Sequence, residues 1–509
     1  MRRTLLVGFD LGTAALKAAV FDEQGRELAS ASHEYSLETP ANNMAESHPD
    51  MYIEAIASVF RTLRDRGGID LAQIAAIGFS SQSETLVFVD ENGNPLRKAI
   101  SWMDSRAGSQ AKRLRDTFGD ELCYRVTGQV GFAPNWPAPK VLWVRENEPE
   151  VFAATAKILC LADYIIHWLT GRYVADCSLL TSTLYWDITT KKYWPEMLDR
   201  LGVSAGMLPE ILESGEVAGK ILPGVARELG VNPDALICTG GMDNAVGAIG
   251  VGTTRTGMFY ESTGSSQAVC IPLDSIKYDP NGVMPVHYSP IRDTYMLHTF
   301  TTGGLCMRWF RDNFCQLEMD YAQLSGADNY DLLIREAGTI PPGAGGLVFL
   351  PHLNGAMAPD RNPNALGVFF GLTVAHRKPH FIRAIMESLG YLNRRNIDAL
   401  ANMGVTVDEV RAFGGGSKSA LWCQIKADIL KLPVCVTNTR DTAPCLGAAA
   451  LAGCAIGLFP SVKSACDSMV HVTERFEPDA ANAGIYDRGY EKYKKLQVDL
   501  MDMFDYVAE

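Results

Sequence analysis

Thr239-Gly-Gly-Met-Asp243-Asn-Ala-Val-Gly-Ala-Ile-Gly-Val-Gly252 is the stretch on which the reading of this chain turns. The apolar run Ala235–Cys238 just ahead of it reads as a buried strand. The paired glycines then turn the chain sharply, and Ala245 to Ile249 begin a helix. Such a turn lifts one carboxylate, Asp243, out of a rigid scaffold at the mouth of a cleft. Taken alone, an Asp at a helix start reads equally well as a simple N-cap. Its company argues for more. Glycine- and hydroxyl-rich turns recur near residues 10, 263, 303 and 415, each beside an apolar, strand-like run. Turns of this kind let backbone N–H groups face an anion with no bulky side chain in the way, as phosphate sites require.

Working outward, 509 residues exceed one ordinary core, so two or more domains are expected. A 47% apolar and 21% charged composition describes a globular chain. A net charge of −13 without any basic block excludes a nucleic-acid-binding surface. The twelve cysteines form no CxxC pairs, and Cys306 and Cys315 belong to no His-containing cluster, which fits reduced thiols in a cytosolic protein. Arg2 and Arg3 precede only a short apolar segment ending at Asp10, so no signal peptide is expected. No run reaches the roughly 18 apolar residues that span a bilayer. The reading is a cytoplasmic protein without membrane partners.

The segment Thr4 to Phe9, the turn Asp10-Leu-Gly12-Thr13 and the strand Leu16 to Phe21 form one unit, closed by the hairpin signal Asp22-Glu-Gln-Gly25. The plan returns as Gly257 to Ser262, Thr263-Gly-Ser-Ser266 and Gln267 to Ile271. Thr13 and Thr263 lie 250 positions apart (263 − 13), about half the chain. The repeat suggests a duplicated α/β domain around a central cleft, with chance similarity of two short hairpins as the alternative. Helices are expected at Pro49 to Phe60, Gln110 to Thr117, Leu161 to Thr170 and His380 to Leu400, and a strand at Ile74 to Phe79. Gly414-Gly-Gly416 leads into another helix, with Ser417 as cap and Leu421, Ile425 and Ile429 as its buried stripe. The alternation is α/β, with domains over 1–245 and 246–509. No low-complexity linker separates them, so close packing around a hinge is expected.

Several motifs share an order. Phe9-Asp10-Leu11-Gly12-Thr13 comes first, then Pro139-Lys140-Val141-Leu142-Trp143, then Gly240-Gly-Met-Asp243-Asn244, then Gly367-Val-Phe-Phe-Gly371-Leu372 through His380 to Glu387. None of these is specific alone, but in this order and spacing the chain resembles the FGGY carbohydrate kinases over nearly its whole length. The resemblance implies two actin/hexokinase-like (ribonuclease H-like) ATPase domains around a central cleft, with ATP and Mg²⁺ as cofactors and a small sugar or polyol as substrate. Family members are often dimers, so a homodimer is among the assemblies it allows.

The resemblance also assigns roles, and elementary chemistry agrees with them. Phosphoryl transfer needs positioning and charge neutralisation more than covalent help. Asp243 is the candidate general base and Asp10 the candidate Mg²⁺ carboxylate. Gly12 and Thr13 form the first phosphate loop, though Ala14 and Ala15 replace the hydroxyl residues common there, and whether Lys17 compensates is left open. Thr263, Gly264 and Ser265 form the second loop, departing from the usual Gly-Thr-Ser-Gly. Gly303, Gly304, Gly415, Gly416 and Ser419 resemble the remaining nucleotide contacts, with tight helix–strand packing as the alternative.

Gln82, Ser83, Glu84, Trp102, Asp104 and Asn244 occupy the places where the family contacts its sugar. Xylulokinases carry Met-His after the Gln and glycerol kinases Arg-Glu, so Ser83-Glu84 matches neither fully. Asp104 and the Asp243-Asn244 pair are xylulokinase-like. Trp102 offers a flat wall for a sugar's C–H face or, equally, a core residue. Three acids, Glu84, Asp104 and Asp243, with only Arg106 close in sequence, favour a neutral ketose or polyol over gluconate. The reading is an ATP-dependent sugar kinase acting on a primary hydroxyl of a neutral pentulose or short polyol. Its alternatives are a gluconokinase- or glycerol-type kinase, a non-catalytic sensor on the same fold, and a chaperone-type ATPase, for which no peptide-binding segment is present.

Overall fold

Two mixed sheets with matching strand order carry the two halves of the chain. The computed structural model describes residues 4–439 and 441–508, and Arg2 and Arg3 lie outside the described residues. In the first sheet β1 (Leu5–Leu11), β2 (Ala15–Phe21) and β3 (Glu27–Glu34) run antiparallel in succession. Strand β4 (Ile74–Ser81) lies parallel to β1, and β5 (Val217–Lys220) and β6 (Leu236–Cys238) complete the order β5-β6-β4-β1-β2-β3. A two-residue strand, β7 (Gly241–Met242), pairs with the end of β4.

The second sheet consists of β8 (Met258–Thr263), β9 (Ser266–Leu273), β10 (Val286–Tyr288), β11 (Tyr295–Thr302), β12 (Glu409–Gly414), β13 (Val434–Thr437) and β14 (Val472–Phe476). Its order, β14-β13-β12-β8-β9-β11-β10, repeats the first sheet strand for strand and direction for direction through β11. The repeat that two short hairpins suggested therefore extends over six strands. The strands outrun their expected ends. Asp10 and Leu11 still belong to β1, and the tight turn is Gly12–Ala14, closed by the Gly12 N–H donating to the Ala15 carbonyl at 3.1 Å.

Helices follow the apolar periodicity: α1 (Pro49–Asp65), Gly108–Phe118, α2 (Leu161–Thr170), α3 (Asp243–Gly250), α4 (Lys378–Asn402), α5 (Ala420–Leu430) and α6 (Ala443–Ala455). The cap of α5 is a correction. Ser419, not Ser417, accepts from the Trp422 N–H at 3.1 Å, while the Ser417 hydroxyl donates to the Gly414 carbonyl within a short 3₁₀ turn. Helix α5 is also buried on more than one stripe, since Lys426 and Asp428 are buried and Leu421 is only half-buried.

The halves do more than meet at a hinge. Helix α6, from the second half of the chain, lies across β1, β4 and α3 of the first. It comes so close that backbone rests on backbone. A Cβ on Gly8 would stand 1.8 Å from the Cys445 carbonyl oxygen, and one on Gly250 would stand 1.8 Å from that of Ala443. Leu6, Ala19, Phe21 and Ala76 of the first sheet pack with Val246, Leu446, Ala449 and Leu451 in one shared layer. No disulfide joins the twelve cysteines, eleven of which are buried. Among the described residues no helix is long and apolar enough to cross a membrane.

The helix crossing makes a direct test. Gly250→Ala places a methyl where only backbone fits, so its cost should reach or exceed the ~1–3 kcal/mol of ordinary overpacking. Gly108→Ala, at a site where a Cβ meets nothing within 4 Å, should leave the melting temperature unchanged or raised. Thermal unfolding of the two variants, with soluble yield alongside, checks the contrast.

Candidate active site

Three strand ends build the centre. Along β4, Ser80 faces Asp10 of β1 on one side and Gly241 of β7 on the other. Asp243, two residues beyond Gly241, opens α3 and so lands beside Asp10. The crossing from β6 to β7 passes over β4 at Gly240, where a Cβ would stand 1.6 Å from the Phe79 carbonyl oxygen. No residue with a side chain fits there.

Asp243 Oδ1 accepts from the Asn244 backbone N–H at 2.6 Å and from Asn244 Nδ2 at 3.0 Å. Burial and then the neighbouring Asp10 carboxylate push the Asp243 pKa up to about 7. Burial also raises Asp10, opposed by Lys17 directly across the β1–β2 ladder and by the Ser80 hydroxyl, which donates to Asp10 Oδ1 at 3.1 Å. Lys17 therefore sits where it can offset charge at Asp10.

Beyond β4 the loop Gln82 to Thr85 forms the adjoining wall. Glu84 adopts a left-handed backbone with φ of 60°, uncommon for a residue with a side chain. Burial raises its carboxyl, helped by Asp243 and opposed by the Ser182 hydroxyl and the Lys140 ammonium. Lys140 is fully buried and donates to the carbonyls of Ser101 at 2.8 Å and Glu84 at 3.3 Å, stapling these two loops together. The Ser83 hydroxyl is buried and has no hydrogen-bond partner among the described residues. Trp102 is half-buried, and its indole N–H donates to Thr13 Oγ1 at 2.8 Å, which ties it to the first phosphate loop.

Several expected contacts are spoken for inside the protein. Asp104 is engaged within the protein: both oxygens are held by Arg106, and Oδ2 also accepts from the Ala45 N–H at 2.7 Å. Gln82 is engaged as well, since Nε2 donates to the Gly12 carbonyl at 3.0 Å and Oε1 accepts from Thr85 at 3.1 Å. Asn244 is turned onto Asp243 rather than away from it.

On the opposite wall, Gly264 and Ser265 form an exposed tip braced from behind. The Gly304 N–H donates to the Gly264 carbonyl at 2.8 Å, and those of Gly303 and Leu305 donate to Ser265 at 3.1 and 3.0 Å. Gly303 and Gly304 thus support the loop instead of offering free amides. The Thr263 hydroxyl is buried against Glu261 and accepts from Lys426 Nζ at 3.0 Å, and the fully buried Lys426–Glu261 pair closes at 2.7 Å. Thr263 is consequently an anchor. A Cβ on Gly416 would stand 2.7 Å from the Thr263 Cβ, so Gly416 is there for packing, and the Ser419 oxygen caps α5. Gly415 and the Gly264-Ser265 tip stay exposed.

Sequence reasoning gave no role to Tyr35, Lys426 or Glu261. Tyr35 donates to the Gly12 carbonyl at 2.6 Å. Lys426 had a readable signal, a lone cation inside the apolar run from Trp422 to Leu430, as did Glu261 within Met258 to Ser262. A buried charge needs a partner of opposite sign. Among the described residues no group of three or more His, Cys, Asp or Glu side chains forms a metal cage.

A base must be ionised to accept a proton, so with Asp243 in the role expected from the sequence, activity should fall tenfold per pH unit below its pKa. The profile of kcat/KM for the nucleotide should therefore show an acid limb of unit slope with an apparent pKa near 7. In Asp10→Asn one of the two causes of the upward shift is gone, and the limb of the residual activity should move to lower pH. A rate profile from pH 5 to 9 on both proteins checks the sign.

Comparison with known proteins places this geometry. Residues 5–250 match the N-terminal domain model of the FGGY family of carbohydrate kinases, and residues 260–456 match its C-terminal domain model. A xylulose kinase of Bacillus subtilis is 30% identical over 98% of this chain and 97% of its own length. A gluconokinase of the same organism is 30% identical over 94% of this chain and 93% of its own. Among solved structures, xylulose kinase from Lactobacillus acidophilus superposes with a TM-score of 0.88 at 27% identity, covering 99% of this chain and 100% of that one. The sequence relatives, the fold and both domain models agree: the chain belongs to the FGGY family of carbohydrate kinases and is a sugar kinase, a phosphotransferase.

Proposed function

We propose that the chain transfers the γ-phosphate of Mg-ATP to a primary hydroxyl of a neutral pentulose, xylulose being the first to test. The observation that carries the reading is Asp243, held by Asn244 through one oxygen and set beside Asp10 at the meeting of three strand ends. The substrate O–H proton passes to Asp243 as its oxygen attacks the γ-phosphorus. The bond to the bridging oxygen breaks, and ADP leaves. When bound, Mg²⁺ neutralises charge on the phosphates. It takes hard oxygen ligands and needs only one or two carboxylates beside them, a part that Asp10 fits while Asp243 stays free for the proton. Thr13, Gly264, Ser265 and Gly415 are the groups placed to face the nucleotide, with residues 1–245 supplying the sugar side and 246–509 most of the nucleotide side.

Charge favours a neutral sugar. Glu84 and Asp243 flank the pocket, and the two cations borne by its own elements are engaged. Lys140 donates to backbone carbonyls, and Arg106 is locked between Asp104 and Glu46. A sugar acid would meet these carboxylates, and neither Lys140 nor Arg106 is released to receive it. Gluconate is the competing substrate, because relatives of that name match the chain as well as the xylulose kinases do.

The test is ADP release with Mg-ATP against xylulose, other ketoses, glycerol and gluconate. Xylulose or another neutral ketose should give the highest kcat/KM, and Asp243→Ala should lower it by about 10²–10⁴-fold. Turnover of gluconate above every neutral compound would overturn the substrate assignment and leave the kinase chemistry standing.

A further inference from the structure

Four hydrogen bonds join the sugar wall to the first phosphate loop in a closed ring. The Trp102 backbone N–H donates to Thr85 Oγ1 at 3.1 Å. The Thr85 hydroxyl donates to Gln82 Oε1 at 3.1 Å, and Gln82 Nε2 donates to the Gly12 carbonyl at 3.0 Å. The ring returns through the Gly12–Thr13 peptide to Thr13 Oγ1, which accepts from the indole N–H of the same Trp102 at 2.8 Å.

Donor chemistry fixes the direction of every link. A backbone N–H and an indole N–H can only donate. Thr85 Oγ1 must therefore accept from Trp102 and spend its own hydrogen on Gln82. That choice sets the Gln82 amide with its oxygen toward Thr85 and its nitrogen toward Gly12. At the far end, Thr13 Oγ1 must accept from the indole, so its own hydroxyl hydrogen is free to point at an acceptor outside the ring. An anionic phosphate oxygen is such an acceptor. Thr85 and Gln82 are buried, Thr85 completely, so neither bond competes with water.

We propose that Thr85 is a positioning residue: through this ring it holds Trp102 on the sugar side and Gly12-Thr13 on the phosphate side in one fixed relation, so that the sugar site and the phosphate-facing hydroxyl of Thr13 are set together. The inference rests on the kinase reading above, and it extends that reading to how the two substrate sites are joined. Thr85 itself touches neither substrate. Its removal acts at a distance on the nucleotide, which a residue serving only the sugar pocket would not do.

The experiment compares wild type, Thr85→Val and Thr85→Ser, with ADP release measured in xylulose and in its absence. Thr85→Val keeps the shape and removes the hydroxyl. It should raise the KM for ATP and lower the ratio of xylulose-stimulated to xylulose-independent ATP hydrolysis, each by roughly 10- to 100-fold, the scale of a small misplacement of reacting groups. Thr85→Ser, which restores the hydroxyl, should bring both back to within a few fold of wild type (about threefold). An unchanged KM for ATP and unchanged ratio in a folded Thr85→Val overturns the proposal, as does a Thr85→Ser as impaired as the valine variant.

If Thr85→Val does not fold, Trp102→Phe keeps a flat ring and removes the indole N–H. It should weaken ATP binding in the absence of sugar, read as a smaller ATP-induced rise in melting temperature, and an unaltered rise overturns the proposal. Wild type that no sugar stimulates would sink the substrate reading alone, because the ATP-induced melting shift of the Thr85 variants still decides this one.

Discussion

Everything at the centre depends on two backbones touching. Helix α6 rests on β1 and crosses α3 at glycines, and the carbonyl oxygens of Cys445 and Ala443 fill the space that side chains would need. Contacts this close leave no slack, because packed interiors respond to displacements of a single methylene. They set the depth at which α3 lies against β4, and hence where Asp243 emerges relative to Asp10. The position of Asp243 is thereby fixed by residues 443–455, which begin two hundred positions downstream of the carboxylate they locate.

Charges in this protein fall into two kinds. Those that hold loops in place are paired and buried: Asp104 with Arg106, and Glu261 with Lys426 under the second phosphate loop. A buried ion pair of this kind is poor evidence of net stability, since desolvation offsets attraction, but it fixes direction. The charges that face the cleft, Asp10, Glu84 and Asp243, are crowded together and raised by burial. Carboxylates gathered in this way are what a site awaiting a cation and a hydroxyl donor presents.

The central acids were legible in the sequence because each adjoins a small-residue turn beside an apolar strand, Asp10 just ahead of one and Asp243 just after one, a local pattern that survives without knowing the fold. The duplication was legible for the same reason, as two hairpins of one design. What escaped was the assignment of neighbours. Gln82 finds Gly12 across 70 positions and Trp102 finds Thr13 across 89, and no period in a sequence announces such a bond. For glycines the sequence left two readings open: Gly303, Gly304 and Gly416 look like anion-binding turns, yet the amides of Gly303 and Gly304 brace the Gly264-Ser265 tip and the missing side chain of Gly416 makes room for Thr263. Asp104 shows the same limit, since a carboxylate's type says nothing of whether an arginine two residues away has already claimed it.

The position of α6 also bears on how the molecule is made. Strand β4 is complete at residue 81, but the helix that covers its face ends at residue 455 of 509. At typical synthesis rates of about 5–20 residues per second, those 374 residues take roughly 20–75 s. Throughout that interval the glycine- and alanine-rich face of the first sheet lacks its natural cover. The nascent first half is thus committed to wait, and its protection during synthesis has to come from outside the chain or from slow local folding, rather than from early completion of an independent domain.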